Sequence, residues 1–296
     1  MRPGLLPGEL NAMFERIVKT APGNLTGNVK IDDGMTNYTV HVHSRPEPPI
    51  EGQEPIISKA VDEEQPPWVI TFENFLTEEE CKHLIEQGRQ AEYKRSEDVG
   101  KVQADGSYDS VKSKGRTSEN AWCSFRDGCR NDTIVGLVHD RIANVTRIAA
   151  NNSEDFQILK YKPGQFYRQH HDYIEHQRDR RCGPRILTFF LYLSDVEVSC
   201  CLSLSELDCT LVIFTQCLLL YSKQEGGATN FPKLDIAVRP KTGRALLWPS
   251  VLNSDPRNKD GRTDHEAQDV IAGVKYGANA WIHLHDYQAA QELGCS

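Results

Sequence analysis

No stretch of this 296-residue chain approaches the roughly 18 consecutive apolar residues that a membrane-spanning helix needs, so no span is expected. The amino-terminal MRPGLLPGELNAMFERIV has no apolar core of the signal-peptide kind and does not read as a cleavable leader. An excess of positive charge is also missing. Lys and Arg number 34 against 42 Asp and Glu, a net charge of −8, and no basic stripe is interleaved with aromatic residues. That balance argues against a nucleic-acid partner. Disorder is excluded as well, because 39% of the residues are hydrophobic and 26% are charged, the composition of a folded globular chain. The length supports one large core or two smaller ones.

What is present points first to a compartment. Sequons of the N-x-[ST] type occur at Asn24, Asn37, Asn131, Asn144 and Asn151, more than this composition would scatter by chance, and nine Cys are many for a cytosolic enzyme. Both features fit a glycoprotein of the secretory pathway, in the endoplasmic reticulum lumen.

Read in order, residues 1–66 form a peripheral extension and linker, with Pro- and Glu-rich sequence from 45 to 67. Within it YTVHVH at 38–43 alternates as an edge strand would, and His41 and His43 read as exposed strand residues. The folded domain is expected over 67–290. WVITF at 68–72 is a strand. Thr77 and Glu80 make a capping box ahead of a helix with Leu84 and Ile85 at helical spacing. Residues 94–115 read as a polar loop. Cys123 and Cys129 bracket a short turn, either as a disulfide or as free thiols. Apolar residues at Ile134, Leu137, Val138, Ile142 and Val145 predict a helix over 133–149. RILTFFLYL at 185–193 is the strongest strand signal, and 228–232, 245–248, 269–274 and 280–284 supply further short strands. Strand after strand behind a helical layer predicts an α+β fold, a double-stranded β-helix or jelly roll with N-terminal helices packed on one sheet.

The stretch ILKYKPGQFYRQHHDY at 158–173 carries the chemistry. It reads as a strand, a Pro-Gly turn and a second short strand ending in His170, His171 and Asp172. His170 and Asp172 fall on one side of an extended segment, because side chains alternate with period 2, and His171 falls on the other. An imidazole and a carboxylate so placed are two-thirds of the two-His-one-carboxylate set that holds Fe(II) and leaves positions open. Alone, such a pair is no more than a polar turn after a strand. His265 is the preferred third ligand, since a jelly roll brings the end of one strand beside the start of a much later one. His176 is too near in sequence, and His283 and His285 share one face of the last strand.

Several motifs then occur together and in order: FLTEEECKHL at 75–84, RTS at 116–118, the run 161–172, GGATNFP at 226–232, ALLWP at 245–249, and His265 followed by Lys275 and Trp281. Across residues 67–287 this series resembles the Fe(II)/2-oxoglutarate-dependent prolyl 4-hydroxylase family, in particular its alpha-subunit-like catalytic domain. The resemblance implies that His170, Asp172 and His265 are the iron ligands. It makes Lys275 the partner of the distal carboxylate of 2-oxoglutarate and Tyr161 a hydrogen-bond donor to it. Tyr167 and Trp281 match catalytic aromatic residues that position a proline near the metal, and Arg116 and Ser118 match substrate-binding residues of a loop covering the peptide. The implied cofactors are Fe(2+), 2-oxoglutarate and L-ascorbate, and the implied partner is a proline-containing polypeptide. The implied reaction converts peptidyl proline to 4-hydroxyproline with O₂ and 2-oxoglutarate, releasing succinate and CO₂. A 2-oxoglutarate oxygenase acting on another residue or small molecule, and a non-catalytic peptide-binding relative, are the alternatives.

Residues 198–224, VSCCLSLSELDCTLVIFTQCLLLYSKQ, depart from the family pattern. They hold four of the nine Cys and neither Gly nor Pro. Joining Glu197 to Glu225 restores a smooth match, YLSDVEEGGATNFP. Val198-Ser199 and Gln224 can be encoded by codons that resemble the two ends of an intron. The block is therefore expected to be a retained intron, the alternatives being a surface insertion, a Cys-rich metal clip or a membrane-dipping hairpin.

Overall fold

The computed structural model describes residues 2–24, 34–49, 52, 54–102, 108–125, 128–196 and 226–294. The atypical block at 198–224 lies outside the described residues. Among the described residues the strands are β1 (Thr39–Ser44), β2 (Val69–Glu73), β3 (Lys94–Arg95), β4 (Asp98–Val102), β5 (Tyr108–Val111), β6 (Glu119–Cys123) and β7 (Phe156–Tyr161). They continue with β8 (Tyr167–His170), β9 (Arg185–Tyr192), β10 (Thr229–Phe231), β11 (Ile236–Val238), β12 (Ala245–Pro249), β13 (His265–Ala267) and β14 (Lys275–His283). The α-helices are α1 (Glu9–Thr20), α2 (Lys59–Glu64), α3 (Glu78–Gln90), α4 (Thr133–Thr146) and α5 (Tyr287–Glu292).

The result is a mixed fold of helices and antiparallel sheets. A large sheet has the order β1-β2-β12-β9-β14-β7-β6-β3, a smaller one β11-β10-β13-β8, and β4 pairs β5 as a separate hairpin. The central strand β9 shows why its sequence is an unbroken apolar run. Leu187, Phe189 and Leu191 point into one core with α1, α3 and α4, while Phe190 and Tyr192 point into a second core shared with Phe231 and Val238 of the smaller sheet. A strand buried on both faces has no reason to alternate. Truncating Phe189, which is fully buried, would open a cavity costing about 3–5 kcal/mol.

The predicted capping box is present, with Thr77 Oγ1 accepting from the Glu80 N–H at 3.1 Å and Glu80 Oε2 accepting from the Thr77 N–H at 2.9 Å. Helix α4 stops at Thr146, earlier than the sequence pattern suggests, because Arg147 turns to φ 62, outside the helical region. Residues 94–115, expected as a loop, contain β3 and the β4–β5 hairpin. The strand expected at 269–274 is absent. Gly273 sits at φ 79 there, and the strand begins instead at Lys275.

The segment read as peripheral is in fact packed in. Leu10, Met13, Phe14 and Ile17 of α1 are buried in the larger core, Phe14 stacks on Trp68 at 5.2 Å, and β1 pairs β2 at the sheet edge. The amphipathic spacing of those four residues is the helical pattern that the flanking Pro and Gly obscured. Cys123 and Cys129 form a disulfide.

Candidate active site

The site grows out of the pairing of β8 with β13, which sets His265 directly opposite His170. Their rings lie 4.3 Å apart between centroids. Asp172, two residues beyond His170, reaches back so that its Oδ1 is 3.8 Å from His170 Nε2 and its Oδ2 3.6 Å from His265 Nε2. Among the described residues these three form the one cluster able to hold a metal ion, with donor atoms within 4.8 Å of each other. His176, His283 and His285 do not join it.

The hydrogen bonds behind the cluster decide which ring nitrogens face inward. His170 Nδ1 lies 2.9 Å from the Arg168 carbonyl and His265 Nδ1 3.0 Å from the Thr263 carbonyl. A carbonyl only accepts, so each Nδ1 carries the proton and donates it, leaving each Nε2 lone pair aimed at the centre. Burial, followed by the neighbouring His265, holds the His170 pKa well below the ordinary imidazole value, so the ring is neutral, as a metal ligand must be. Burial alone would raise the Asp172 pKa. The Thr188 hydroxyl, which donates to Oδ2 at 2.7 Å, favours the charged form, and the Asp172 pKa lies below the ordinary carboxylate value. Two imidazole nitrogens and one carboxylate on one side of a point are a three-ligand set for iron.

A second centre is built by β14 against β7. Lys275 pairs with Tyr161 across the two strands, so the two side chains share a face. Lys275 is fully buried, and its Nζ has no hydrogen-bond partner among the described residues. Around it stand the rings of Tyr161 at 5.1 Å, Phe190 at 5.3 Å and Tyr192 at 5.6 Å. Burial pushes its ammonium down to about 7. A buried cation without an anion is expensive unless a ligand supplies the missing charge, and the distal carboxylate of a dicarboxylic acid fits that need. Gly227 makes room beside the Lys275 stem. It sits at φ +70, and a Cβ there would meet Val196 at 3.2 Å, Val270 at 3.3 Å and Lys275 Cδ at 3.4 Å.

The remaining sequence-predicted residues divide. Tyr167 stacks on His170 at 3.5 Å, with the Arg116 guanidinium 4.5 Å from its ring. Arg116 donates to the Glu97 carbonyl and to Gln157 Oε1. Trp281 is buried, its Nε1 has no hydrogen-bond partner among the described residues, and the Arg185 guanidinium lies 3.7 Å from its ring. Arg116, Tyr167, His170, Asp172 and Trp281 all line a cavity of about 750 Å³. Ser118 does not. It is fully buried, donates to Ser96 Oγ at 2.9 Å and hydrogen-bonds Tyr161, so it braces the tyrosine from behind. Arg116 and Ser118 both precede β6, where strand alternation does not yet govern the side chains, and they end in different surroundings.

The sequence did not reveal a buried ion cluster on the cavity wall. Glu154 accepts from Arg185 Nε at 2.5 Å and Nη2 at 3.0 Å, and from His283 Nε2 at 2.7 Å. His283 Nδ1 donates to the Gly183 carbonyl at 2.8 Å. Burial alone would lower the His283 pKa, but hydrogen bonds with Cys182 and Glu154 carry it up to about 9, so this ring is a cation. Arg185 lies between Glu154 and the Trp281 ring. The only sequence cue was His283 on the last strand, and strand periodicity alone did not say which face is buried.

Residues 156–283 match the family model of the 2OG-Fe(II) oxygenase superfamily. The chain is 30% identical over 251 residues to probable prolyl 4-hydroxylase 7 of Arabidopsis thaliana, covering 77% of this chain and 67% of that one. It is 32% identical over 232 residues to probable prolyl 4-hydroxylase 4 of the same plant, covering 78% and 72%. Among solved structures, the viral collagen prolyl hydroxylase of Paramecium Bursaria Chlorella virus-1, as its 2OG complex, is similar with a TM-score of 0.49 and 22% identity, covering 73% of this chain and 95% of that one. With the iron-type triad, the buried Lys275 and these relatives in view, the chain belongs to the prolyl 4-hydroxylase family of Fe(II)/2-oxoglutarate-dependent dioxygenases.

Proposed function

We propose that the chain hydroxylates proline in a polypeptide to 4-hydroxyproline, consuming O₂ and 2-oxoglutarate and releasing succinate and CO₂. The observation that carries this reading is the pairing of a preorganised His170–Asp172–His265 triad with a fully buried Lys275 that has no anionic partner among the described residues. The triad holds Fe(II), and Lys275 with Tyr161 holds the distal carboxylate of 2-oxoglutarate through a charge-assisted contact. When bound, iron and the 2-oxo acid supply the oxidising chemistry that removes a ring hydrogen from proline. The protein's part is orientation. Tyr167 and Trp281 present apolar rings on the cavity wall for the pyrrolidine, and Arg116, tied to Gln157 and Glu97, anchors the segment above them. Ser118 acts in this reading through Tyr161, not on the peptide.

We read the two facing antiparallel sheets as a double-stranded β-helix, with residues 67–290 as the dioxygenase domain and α1 and β1 packed onto it. The chain works in the endoplasmic reticulum lumen as a glycoprotein, with L-ascorbate keeping the iron reduced. Two observations support that setting. The Asn of all five sequons is solvent-exposed, and the Cys123–Cys129 disulfide suits an oxidising compartment.

The test is 2-oxoglutarate decarboxylation by the full chain with Fe(II), with and without a proline-rich peptide. Stimulation by the peptide, together with 4-hydroxyproline in the product, is expected. Turnover that no proline peptide stimulates would assign the site to a different substrate, and full activity in His170→Ala would remove the triad from the reaction.

A further inference from the structure

His171 lies between two of the three iron-type ligands yet is not one of them. Its ring turns away from the triad and bridges two distant pieces of chain. Nδ1 accepts from the Tyr173 backbone N–H at 2.9 Å, which leaves the proton on Nε2, and Nε2 donates to the Asp260 carbonyl at 2.9 Å. Thr263 converges on the same atom, its hydroxyl donating to the Asp260 carbonyl at 3.1 Å while standing 3.2 Å from His171 Nε2. The Thr263 carbonyl in turn accepts the Nδ1–H of His265 at 3.0 Å. A continuous set of hydrogen bonds therefore runs from the residue between His170 and Asp172, through Asp260 and Thr263, to the ring of His265.

The loop that receives this bond is itself held rigid. The Asp260 carboxylate accepts from Arg262 Nε at 2.8 Å and Nη2 at 2.6 Å, the Asp260 N–H donates to the Ser250 carbonyl at 2.9 Å, and Arg262 also donates to the Asp62 and Gln65 carbonyls. The strand pairing, by contrast, gives little hold at this end. β13 is three residues long, and its register with β8 shifts directly after the His265–His170 pair.

Resting on the functional reading above, we propose that His171 is a positioning residue that fixes the His265-bearing segment relative to His170 and Asp172, and so sets the affinity of the site for Fe(II). It touches neither metal nor substrate. Outer partners of this kind typically contribute about 10–100-fold in metal affinity.

Two substitutions separate the bridge from the local turn. In His171→Asn the shortened side chain keeps an oxygen able to accept from the Tyr173 N–H, two residues on, as Asn does in turns, but no longer reaches Asp260. In His171→Gln the amide N–H extends far enough to restore the donor. The full chain, freed of metal, is titrated with Fe(II) under anaerobic conditions, and with Co(II) while the visible absorption of the bound ion is followed. The apo thermal midpoint is recorded in parallel. We expect His171→Asn and His171→Ala to weaken Fe(II) binding about 10–100-fold, with an altered Co(II) spectrum and recovery in His171→Gln. The turnover number at saturating Fe(II) should change less than the Fe(II) requirement. If His171→Ala does not fold, Thr263→Val reports on the same bridge. Wild-type Fe(II) affinity in His171→Asn overturns the proposal, as does a lowered thermal midpoint with unchanged affinity of the folded protein. A wild-type chain that takes up no Fe(II) overturns the functional reading itself, a result distinct from either.

Discussion

The two halves of the proposed active site are built to opposite rules. At the triad, the protein satisfies its own polar groups. Each imidazole N–H has a backbone carbonyl, and the Asp172 carboxylate has the Thr188 hydroxyl. At Lys275, on β14 of the larger sheet, an ammonium is enclosed by three aromatic rings with no hydrogen-bond partner among the described residues. The first half is complete before its ion arrives, because a metal site loses affinity when its ligands must be reoriented. The second half is incomplete and held in an unfavourable state, so that an anion entering it recovers the desolvation that the fold has already imposed. One half is set by preorganisation and the other by unmet charge.

The largest expected effect breaks the first half. His265→Ala removes a ligand and should lower peptide-stimulated turnover by more than about 100-fold, beyond the range of outer-partner losses, with Fe(II) titration showing the lost site.

Lys275→Met attacks the second half and should separate stability from function. Losing the cation opposite a buried carboxylate costs about 3 kcal/mol or more, roughly 100-fold in 2-oxoglutarate affinity, measurable by calorimetry. The apo protein should instead become more stable near pH 7, since an unpaired buried charge has been removed. The pH dependence follows from the folded-state value of about 7 against the ordinary 10.5. Below pH 7 both folded and unfolded states carry the charge, and the burial penalty is present in full. Between 7 and 10.5 the unfolded state binds more protons, so the contribution of Lys275 to apo stability rises with pH. Affinity for 2-oxoglutarate should move the other way, falling as pH climbs above 7 with proton uptake on binding, and Lys275→Met should abolish that slope.

Thr188→Val sharpens the comparison with a smaller change. It deletes one hydroxyl from the Asp172 carboxylate, a bond worth about 1.5–3 kcal/mol, and should raise the Fe(II) requirement by roughly 10- to 100-fold while leaving 2-oxoglutarate affinity near wild type.

The smallest effect is expected from excising residues 198–224. The chain on either side already meets, because a Cβ on Gly227 would lie 3.2 Å from Val196 Cγ2. A chain with Glu197 joined to Glu225 should fold, keep a 2-oxoglutarate affinity within about twofold of the full chain, and match the product amplified from spliced transcript. Loss of folding on excision would show the block to be integral.

How much of this was legible beforehand varied with the kind of information each feature carries. The capping box of α3 and the apolar run of β9 could be read directly, since both depend on residues within one element. The 133–146 helix was visible by its period, whereas its end was not, because Arg147 in a left-handed conformation leaves no compositional mark. The β4–β5 hairpin was hidden because its strands are polar in sequence and poorly patterned. Helix α1 was obscured by flanking Pro and Gly, although Leu10, Met13, Phe14 and Ile17 carried the spacing.

The sequence by itself determined the donor chemistry: a His-x-Asp pair, a later His, a Lys ten residues on, and the side of the strand from which His171 points. Those are matters of residue type and a two-residue period, which no tertiary contact alters. Only the tertiary structure decided that β13 lies against β8 so that His265 faces His170, that Lys275 is enclosed without an anion, that Ser118 supports Tyr161 instead of lining the cavity, and that Glu154, Arg185 and His283 form one buried cluster. Each joins residues that are far apart in sequence or differ in burial, and burial is a property of the packed chain, not of any segment within it.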